Sequence, residues 1–217
     1  MEAGKKRTFA AVIDWPGWSR SGRDEESALD ALLAYFPRYR SAVGGAVKGL
    51  VEPSDVAGFK VDERVGGDAT TDFGTPGQVP AADGRPLAGA ELRRQLAILE
   101  ACWQTFDAAA RAAAGRELTT GPRGGGRSLE KIRAHVDEAD LGYLSRLGGR
   151  LAAGAGGTEG IRSAFVDAVE ARARGDVPDL GPRGGRRWPA RYGIRRAAWH
   201  ALDHAWEIED RAGTRRP

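Results

Sequence analysis

The stretch of residues 195–211 constrains the fold of this chain more than any other. Its residue pattern predicts one helix. One stripe of that helix is apolar and consists of Ile194, Ala198, Leu202, Ala205 and Ile208. Two tryptophans seven positions apart, Trp199 and Trp206, add apolar bulk on another side. A helix that is apolar around much of its circumference is buried on several sides, so we expect other helices to surround it.

Three further helices are predicted in the C-terminal part of the chain, where apolar residues recur at steps of three and four. The first begins near Gly89, the second is capped by Ser128, and the third spans residues 158–174. The last helix, which contains the stretch described above, begins near Trp188. We therefore expect residues 89–217 to form a mainly α-helical domain.

The first 65 residues have the pattern of a small α+β domain. The predicted elements are, in order, a strand at 7–14, a Pro-Gly turn at 15–18, a short strand at 19–22, a helix at 25–36 and a half-buried strand at 58–65. Asp24 is the predicted N-cap of the helix, and Pro37 is expected to end or kink it. Residues 66–88 are rich in Gly, Pro and Asp without an apolar period, which predicts a linker.

Charge and cysteine content narrow the class of protein. The chain has 33 basic and 30 acidic residues, and this formal net charge of +3 does not argue for a nucleic-acid partner. No apolar run approaches the roughly 20 residues needed to span a bilayer, so we expect no membrane partner. Cys102 is the single cysteine, which excludes an intrachain disulfide and predicts a reducing, cytoplasmic location. It is either a small buried hydrophobe or a reactive thiol.

All three histidines of the chain fall in two of the predicted helices. His200 and His204 are four residues apart, so they lie on one helix face, where both imidazoles can reach one metal ion. His135 lies on the expected inward face of the second helix. Three neutral imidazoles with one or more waters form an open, catalytic type of coordination set. All-nitrogen ligation suits Zn²⁺, Ni²⁺, Fe²⁺ or Cu²⁺, and the sequence does not choose among them.

The stripe that carries His200 and His204 is otherwise polar. Its further polar members are Arg196, Asp203, Glu207 and Arg211. Buried polar groups need partners, so Asp203, Glu207 or Arg196 is a candidate for orienting the imidazoles. Glu207 is also the candidate catalytic general base. The alternative is that it forms a buried salt bridge to Arg211 or Arg196.

Residues 90–213 resemble the DinB-like superfamily, which includes mycothiol-dependent maleylpyruvate isomerase-type proteins. The resemblance lies in a histidine in the second helix, within residues 131–140, and in the two histidines of residues 198–211. It implies an up-down-down-up four-helix bundle in which these three histidines bind a divalent metal ion, with zinc expected first and nickel or iron as alternatives. Many members have arginine after the last ligand, where this chain has Ala205.

The same resemblance implies a type of chemistry. It implies metal- and thiol-dependent transfer or isomerisation of a small-molecule substrate, with a low-molecular-weight thiol as a second cofactor. Arg196 and Arg211, on the histidine-bearing stripe, are the candidate cofactor-binding residues. The resemblance leaves an oligomer, such as a dimer, open.

Residues 8–45 resemble the small partial double-stranded-RNA-binding-like fold of HicB-type antitoxin domains. The resemblance lies in a strand, the Pro-Gly turn, a short strand and the helix that begins after Asp24. The family usually has one more strand before this point, for which this chain leaves no room. The resemblance implies a regulator that binds RNA or a toxin through its N-terminal domain.

Three functions therefore stay open: a metal-dependent enzyme, a non-enzymatic metal-binding scaffold associated with stress, and a regulator. A solvent-reachable site beside the metal favours the enzyme, whereas a sealed site favours the scaffold. A short repeat, residues 121–127 and 181–187, precedes each histidine-bearing helix. Each copy is either an anion-binding turn made of backbone N–H groups and arginine, or a flexible loop.

Overall fold

The computed structural model describes residues 1–120 and 126–212 as a mainly helical protein with one small sheet. The strands are β1 Glu2–Ala3, β2 Thr8–Ala11, β3 Ser19–Gly22 and β4 Val65–Gly66. The helices are α1 Glu25–Ala34, α2 Phe36–Val43, α3 Ala69–Phe73, α4 Gly89–Ala112, α5 Leu129–Leu147, α6 Gly157–Arg174 and α7 Ala190–Ala212. Two short 3₁₀ turns lie at Val56–Gly58 and Ala81–Gly84. None of the helices in the described ranges is long and apolar enough to cross a membrane.

The N-terminal sheet has the strand order β3-β2-β1-β4 and is mixed. β1 and β3 pair with β2 in antiparallel fashion, and β4 pairs with β1 in parallel. Helix α1 packs on β2 and β3 through buried Ala28 and Leu32. The predicted cap is confirmed, because the Asp24 carboxylate accepts a hydrogen bond from the Ser27 backbone N–H.

Several N-terminal predictions need correction. The prediction that the chain leaves no room for an earlier strand is wrong, since β1 precedes β2. The predicted helix 25–36 is broken after Ala34, and Phe36 begins α2 with Pro37 in its first turn, where the missing N–H is not needed. The prediction of a strand at 58–65 is wrong except at its last residue, Val65, where β4 begins. Its partner β1 is only two residues long, so no ladder can extend further back.

Residues 66–88, predicted as a linker, pack against both neighbouring parts of the chain. The Glu2 carboxylate of β1 accepts hydrogen bonds from Thr71 in α3 and from the backbone of Gly77. Asp83 is buried and pairs with Arg195 of α7, with the closest atoms 2.8 Å apart. The segment therefore connects the sheet to α7 through specific polar contacts.

The long helices run in two directions. Arg191 at the start of α7 pairs with Glu91 at the start of α4, so these helices are parallel. Arg211 at the end of α7 donates a hydrogen bond to the carbonyl of Arg127, just before α5, so α5 and α7 are antiparallel. All three of α4, α5 and α6 contact α7. The expectation that α7 is surrounded by helices is confirmed, since sixteen of its residues are buried.

Helix α6 runs alongside α5 in the same direction. Thr158 at the start of α6 donates to Asp137 in the first half of α5, and Gly149 after α5 lies against Ala168 of α6. The predicted cap of α5 is confirmed, because the Ser128 hydroxyl accepts from the Lys131 backbone. Helices α4 and α7 therefore point one way and α5 and α6 the other.

The N-terminal unit docks on α4 and α7 through its Pro-Gly turn. Gly17 has φ +90°, and a Cβ there would lie 2.9 Å from Leu202 and 3.2 Å from the sulfur of Cys102. Arg20 of β3 forms an ion pair of 3.1 Å with Asp203 of α7. The turn thus approaches the helices so closely that only glycine fits, which holds β3 beside the histidine-bearing segment of α7.

Candidate metal centre

Helices α5 and α7 bring the three histidines together. His135 from α5 and His200 and His204 from α7 each offer a ring nitrogen, and these atoms all lie within 4.8 Å of one another. The Nε2 atoms of His135 and His200 are 3.2 Å apart. His200 and His204 are buried, whereas His135 is half-buried. The sequence prediction that these residues meet is confirmed, and they are positioned to bind a metal ion.

The spacing of the nitrogens suits metal coordination. Two nitrogens bound tetrahedrally to one Zn²⁺ at about 2.0–2.1 Å are separated by roughly 3.3 Å. The observed separation of 3.2 Å between His135 and His200 agrees with this value. An imidazole–imidazole hydrogen bond would satisfy only one pair of nitrogens and would leave His204 outside it. One ion within reach of the three nitrogens would satisfy all three rings.

Glu207 fixes the orientation of the third imidazole. Its Oε2 lies 2.7 Å from Nδ1 of His204, and the hydrogen bonds from His204 and Arg211 hold the pKa of the Glu207 carboxyl below its usual range. An ionised carboxylate only accepts, so Nδ1 carries the proton and donates. The Nε2 lone pair of His204 is then free for a metal, in the carboxylate–histidine–metal arrangement.

Arg211 in turn holds Glu207. It donates to Glu207 Oε1 at 2.6 Å, to the Thr119 carbonyl at 2.9 Å and to the Arg127 carbonyl at 2.9 Å. Glu207 therefore does both things that the sequence offered as alternatives: it orients a histidine and it forms a salt bridge to Arg211. The prediction that Arg211 contacts a cofactor stays a prediction, and its guanidinium already donates to three protein acceptors.

Burial keeps two of the imidazoles neutral. Desolvation lowers the pKa of His200 well below its ordinary value, and the charge of Arg196 lowers it further. Desolvation also lowers the pKa of His135. A neutral imidazole has the lone pair that a metal requires, so both rings have the ligand form at neutral pH.

Aromatic residues and one arginine form the wall beside His200. The rings of Tyr143 and Trp199 lie 5.9 and 6.0 Å from the His200 ring, between centroids. Arg196 stacks over both, at 5.2 Å from the Tyr143 ring and 4.6 Å from the Trp199 ring. Nδ1 of His200 and Nη1 of Arg196 are buried and have no hydrogen-bond partner among the described residues. Two donors therefore lack acceptors on this side of the site.

Asp203 does not orient an imidazole. Its carboxylate pairs with Arg20 of β3, and its side chain is 40% exposed. Helical spacing assigned Asp203 to the stripe that carries the histidines, but it carried no information about the strand that packs there. The carbonyls of Thr119 and Arg127, which hold Arg211, were also missed, because backbone acceptors in a loop leave no residue-type signal.

The remaining sequence candidates lie away from the metal centre or outside the described residues. Cys102 is fully buried, and burial raises the pKa of its thiol. Of its two predicted roles, this favours a small buried hydrophobic residue over a reactive thiol. Residues 181–187 include a turn closed by a hydrogen bond from the Gly184 N–H to the Gly181 carbonyl. Most of the matching stretch 121–127 lies outside the described residues, so the anion-binding idea stays a prediction.

In comparisons with protein-family models, curated proteins and solved structures, nothing matches this chain. The functional argument therefore depends on the geometry of the site.

Proposed function

We propose that this chain binds a divalent metal ion through His135, His200 and His204 and uses it to transform a small molecule. The observation that carries the proposal is the 3.2 Å separation of the His135 and His200 Nε2 atoms, within a cluster of three imidazole nitrogens. Zinc is the metal we propose first, with nickel or iron as alternatives, because neutral imidazoles suit all three.

The directions of the helices support membership of the DinB-like superfamily. Helices α4 and α7 are parallel, and α5 and α6 run the opposite way. This is the order that an up-down-down-up four-helix bundle requires. The proposed ligands lie on its second and fourth helices, as the resemblance implies.

The openness of the site favours an enzyme over a structural metal site. Three histidine ligands leave a coordination position for water or substrate, as in catalytic zinc sites. His135 is half-buried whereas His200 and His204 are buried, which supports access to the cluster from the α5 side. A bound metal ion would lower the pKa of a coordinated water or thiol and polarise a substrate carbonyl.

The contacts of the surrounding residues suggest their roles. Both carboxylate oxygens of Glu207 are engaged, one by His204 and one by Arg211, which supports an orienting role more than the general-base role predicted from sequence. Arg196 makes no hydrogen bond or ion pair among the described residues and lies one ring away from His200. It is therefore the better candidate of the two arginines for an anionic group of a thiol or substrate.

Metal loading followed by turnover tests the proposal. The purified full chain is loaded with Zn²⁺ or Ni²⁺ and supplied with a low-molecular-weight thiol and an electrophilic substrate. We expect turnover that His204→Ala abolishes and that Asp203→Asn, which removes a charge on the adjacent residue, preserves. Metal binding without turnover for any metal would contradict the enzymatic role and favour the scaffold. Absence of metal binding would contradict the whole proposal.

A further inference from the structure

A cavity of about 510 Å³ lies between the N-terminal sheet and α7. Its walls include Phe9 of β2, Phe59 and Val61 of the segment before β4, and Arg196 and Trp199 of α7. None of the three histidines lines it. Small-molecule sites usually have volumes of about 300–1,000 Å³, so this cavity has the size of a ligand site.

Five aromatic residues contribute to the walls of this cavity: Phe9, Trp18, Phe59, Tyr192 and Trp199. Phe9 packs edge-on against Trp199 with ring centroids 6.1 Å apart, and Trp18 packs against Phe59 at 5.6 Å. The rings are therefore held in place by one another. Rigid aromatic walls favour a ligand with a flat, apolar body.

The acidic groups around the cavity are already partnered. Glu2 accepts from Thr71 and the backbone, and Glu63 accepts from the Ala81 N–H. The other carboxylates at the cavity form ion pairs, Asp14 with Arg85 and Asp62 with Lys60. A cationic ligand would have to compete with these partners.

Arg196 is the cation at the cavity that lacks an acceptor. Arg195, its neighbour, forms a two-pronged pair with Asp83, whereas Arg196 has no ion pair or hydrogen bond among the described residues. Its guanidinium is positioned by stacking on the rings of Trp199 and Tyr143. An anionic group in the cavity would supply an acceptor for the guanidinium of Arg196.

We propose that this cavity binds a small aromatic carboxylate, with the ring between the aromatic walls and the carboxylate on Arg196. The cavity contains none of the three histidines and needs no metal, but it shares Arg196 and Trp199 with the wall beside His200. The cavity lies between the N-terminal unit and α7. A bound ligand would contact both, so it would stabilise the packing of the N-terminal unit against the helices.

The test uses 2-naphthoate as the probe and 2-naphthalenemethanol as its uncharged counterpart, by calorimetry on the full chain. We expect 2-naphthoate to bind about tenfold or more tightly than the alcohol, because a charge-assisted hydrogen bond is lost in the alcohol. Arg196→Met should remove this preference, since it keeps the apolar stem and removes the charge. Arg93→Met, a matched change at an exposed arginine of α4, should leave it unchanged.

Two further variants locate the bound probe. Val61→Trp fills the cavity without altering charge, so it should weaken 2-naphthoate at least tenfold while metal content stays at the wild-type level. His204→Ala should leave 2-naphthoate binding intact. The proposal is overturned if no binding is seen at millimolar concentration, if acid and alcohol bind equally, or if binding depends on His204 and not on Val61.

Discussion

Nδ1 of His204 donates a hydrogen bond of 2.7 Å to Glu207, three residues further along the same helix. This contact fixes which nitrogen carries the proton and leaves the Nε2 lone pair free for a metal ion. Because Arg211 holds the other oxygen of Glu207 at 2.6 Å, the carboxylate cannot rotate away without losing an ion pair.

Glu207→Gln should weaken metal binding without abolishing it. The amide keeps the size of the side chain but carries no charge to orient and polarise His204, and loss of such a partner typically costs about 10–100-fold in metal affinity. Competition with a chromophoric chelator measures this change. Asp203→Asn is the matched control, because Asp203 pairs with Arg20 and contacts no imidazole. Equal affinities of the Glu207 variant and the wild type would contradict the orienting role.

Metal binding should be lost as the pH falls. His135 and His200 have pKa values lowered by burial, so their folded forms stay neutral to lower pH than free imidazole, whose pKa is about 6.5. Their contribution to stability is present above the unfolded pKa and is lost as the pH falls through the folded values. We therefore expect the rise in Tm caused by added Zn²⁺ to be full at pH 7.5 and to decrease as the pH falls below about 6.5. A metal-induced shift that stays unchanged from pH 7.5 down to about pH 4 would argue for ligands other than histidine.

Asp140 should make the protein less stable as the pH rises. It is buried between α4, α5 and α6, and desolvation raises its pKa to about 7 despite the nearby charge of Arg162. Trp103 donates to one oxygen at 3.1 Å, and the other oxygen has no described partner. Between about pH 4 and pH 7 the native state binds more protons than the unfolded state, so the free energy of unfolding falls with pH.

Asp140→Asn removes this titration and should stabilise the protein by roughly 1–3 kcal/mol at pH 8, with little gain at pH 4. Urea unfolding at the two pH values measures the difference. Asp167→Asn, at an exposed position of α6, is the control and should have no pH-dependent effect. If the free energy of unfolding increases more at pH 4 than at pH 8, the pKa of Asp140 is not raised.

Gly17→Ala should destabilise the docking of the N-terminal unit. A left-handed φ of +90° disfavours any side chain, and the new Cβ would meet Leu202 at 2.9 Å. We expect a loss of about 2–3 kcal/mol in the free energy of unfolding. Gly45→Ala, where nothing lies within 4 Å of the added carbon, is the control and should be close to neutral. A neutral Gly17 variant would show that the turn can move away from α7.

The cluster of three histidines could be predicted from sequence because it depends on local periodicity. The four-residue spacing of His200 and His204 places both on one face of any helix. The apolar neighbours of His135 indicated the inward face of α5. Such periodic signals are strong for long helices, and all four helices predicted in the C-terminal part of the chain are present.

The N-terminal region was harder to predict because its order comes from contacts distant in sequence. Residues 66–88 have a composition typical of a linker, yet Asp83 is buried and forms an ion pair with Arg195, more than a hundred positions away in sequence. The alternation at 58–65 is real but finds only a two-residue partner strand in β1. Neither pairing is visible in local composition or spacing.

The most direct test of the central claim is metal analysis of the purified protein with each histidine replaced in turn. The account predicts about one divalent ion per chain for the wild type, and large losses of metal for His135→Ala, His200→Ala and His204→Ala. Far-UV circular dichroism of each variant establishes that the helices remain. Metal content that is unchanged in all three folded variants, or a wild-type protein that takes up no divalent metal, would contradict the account.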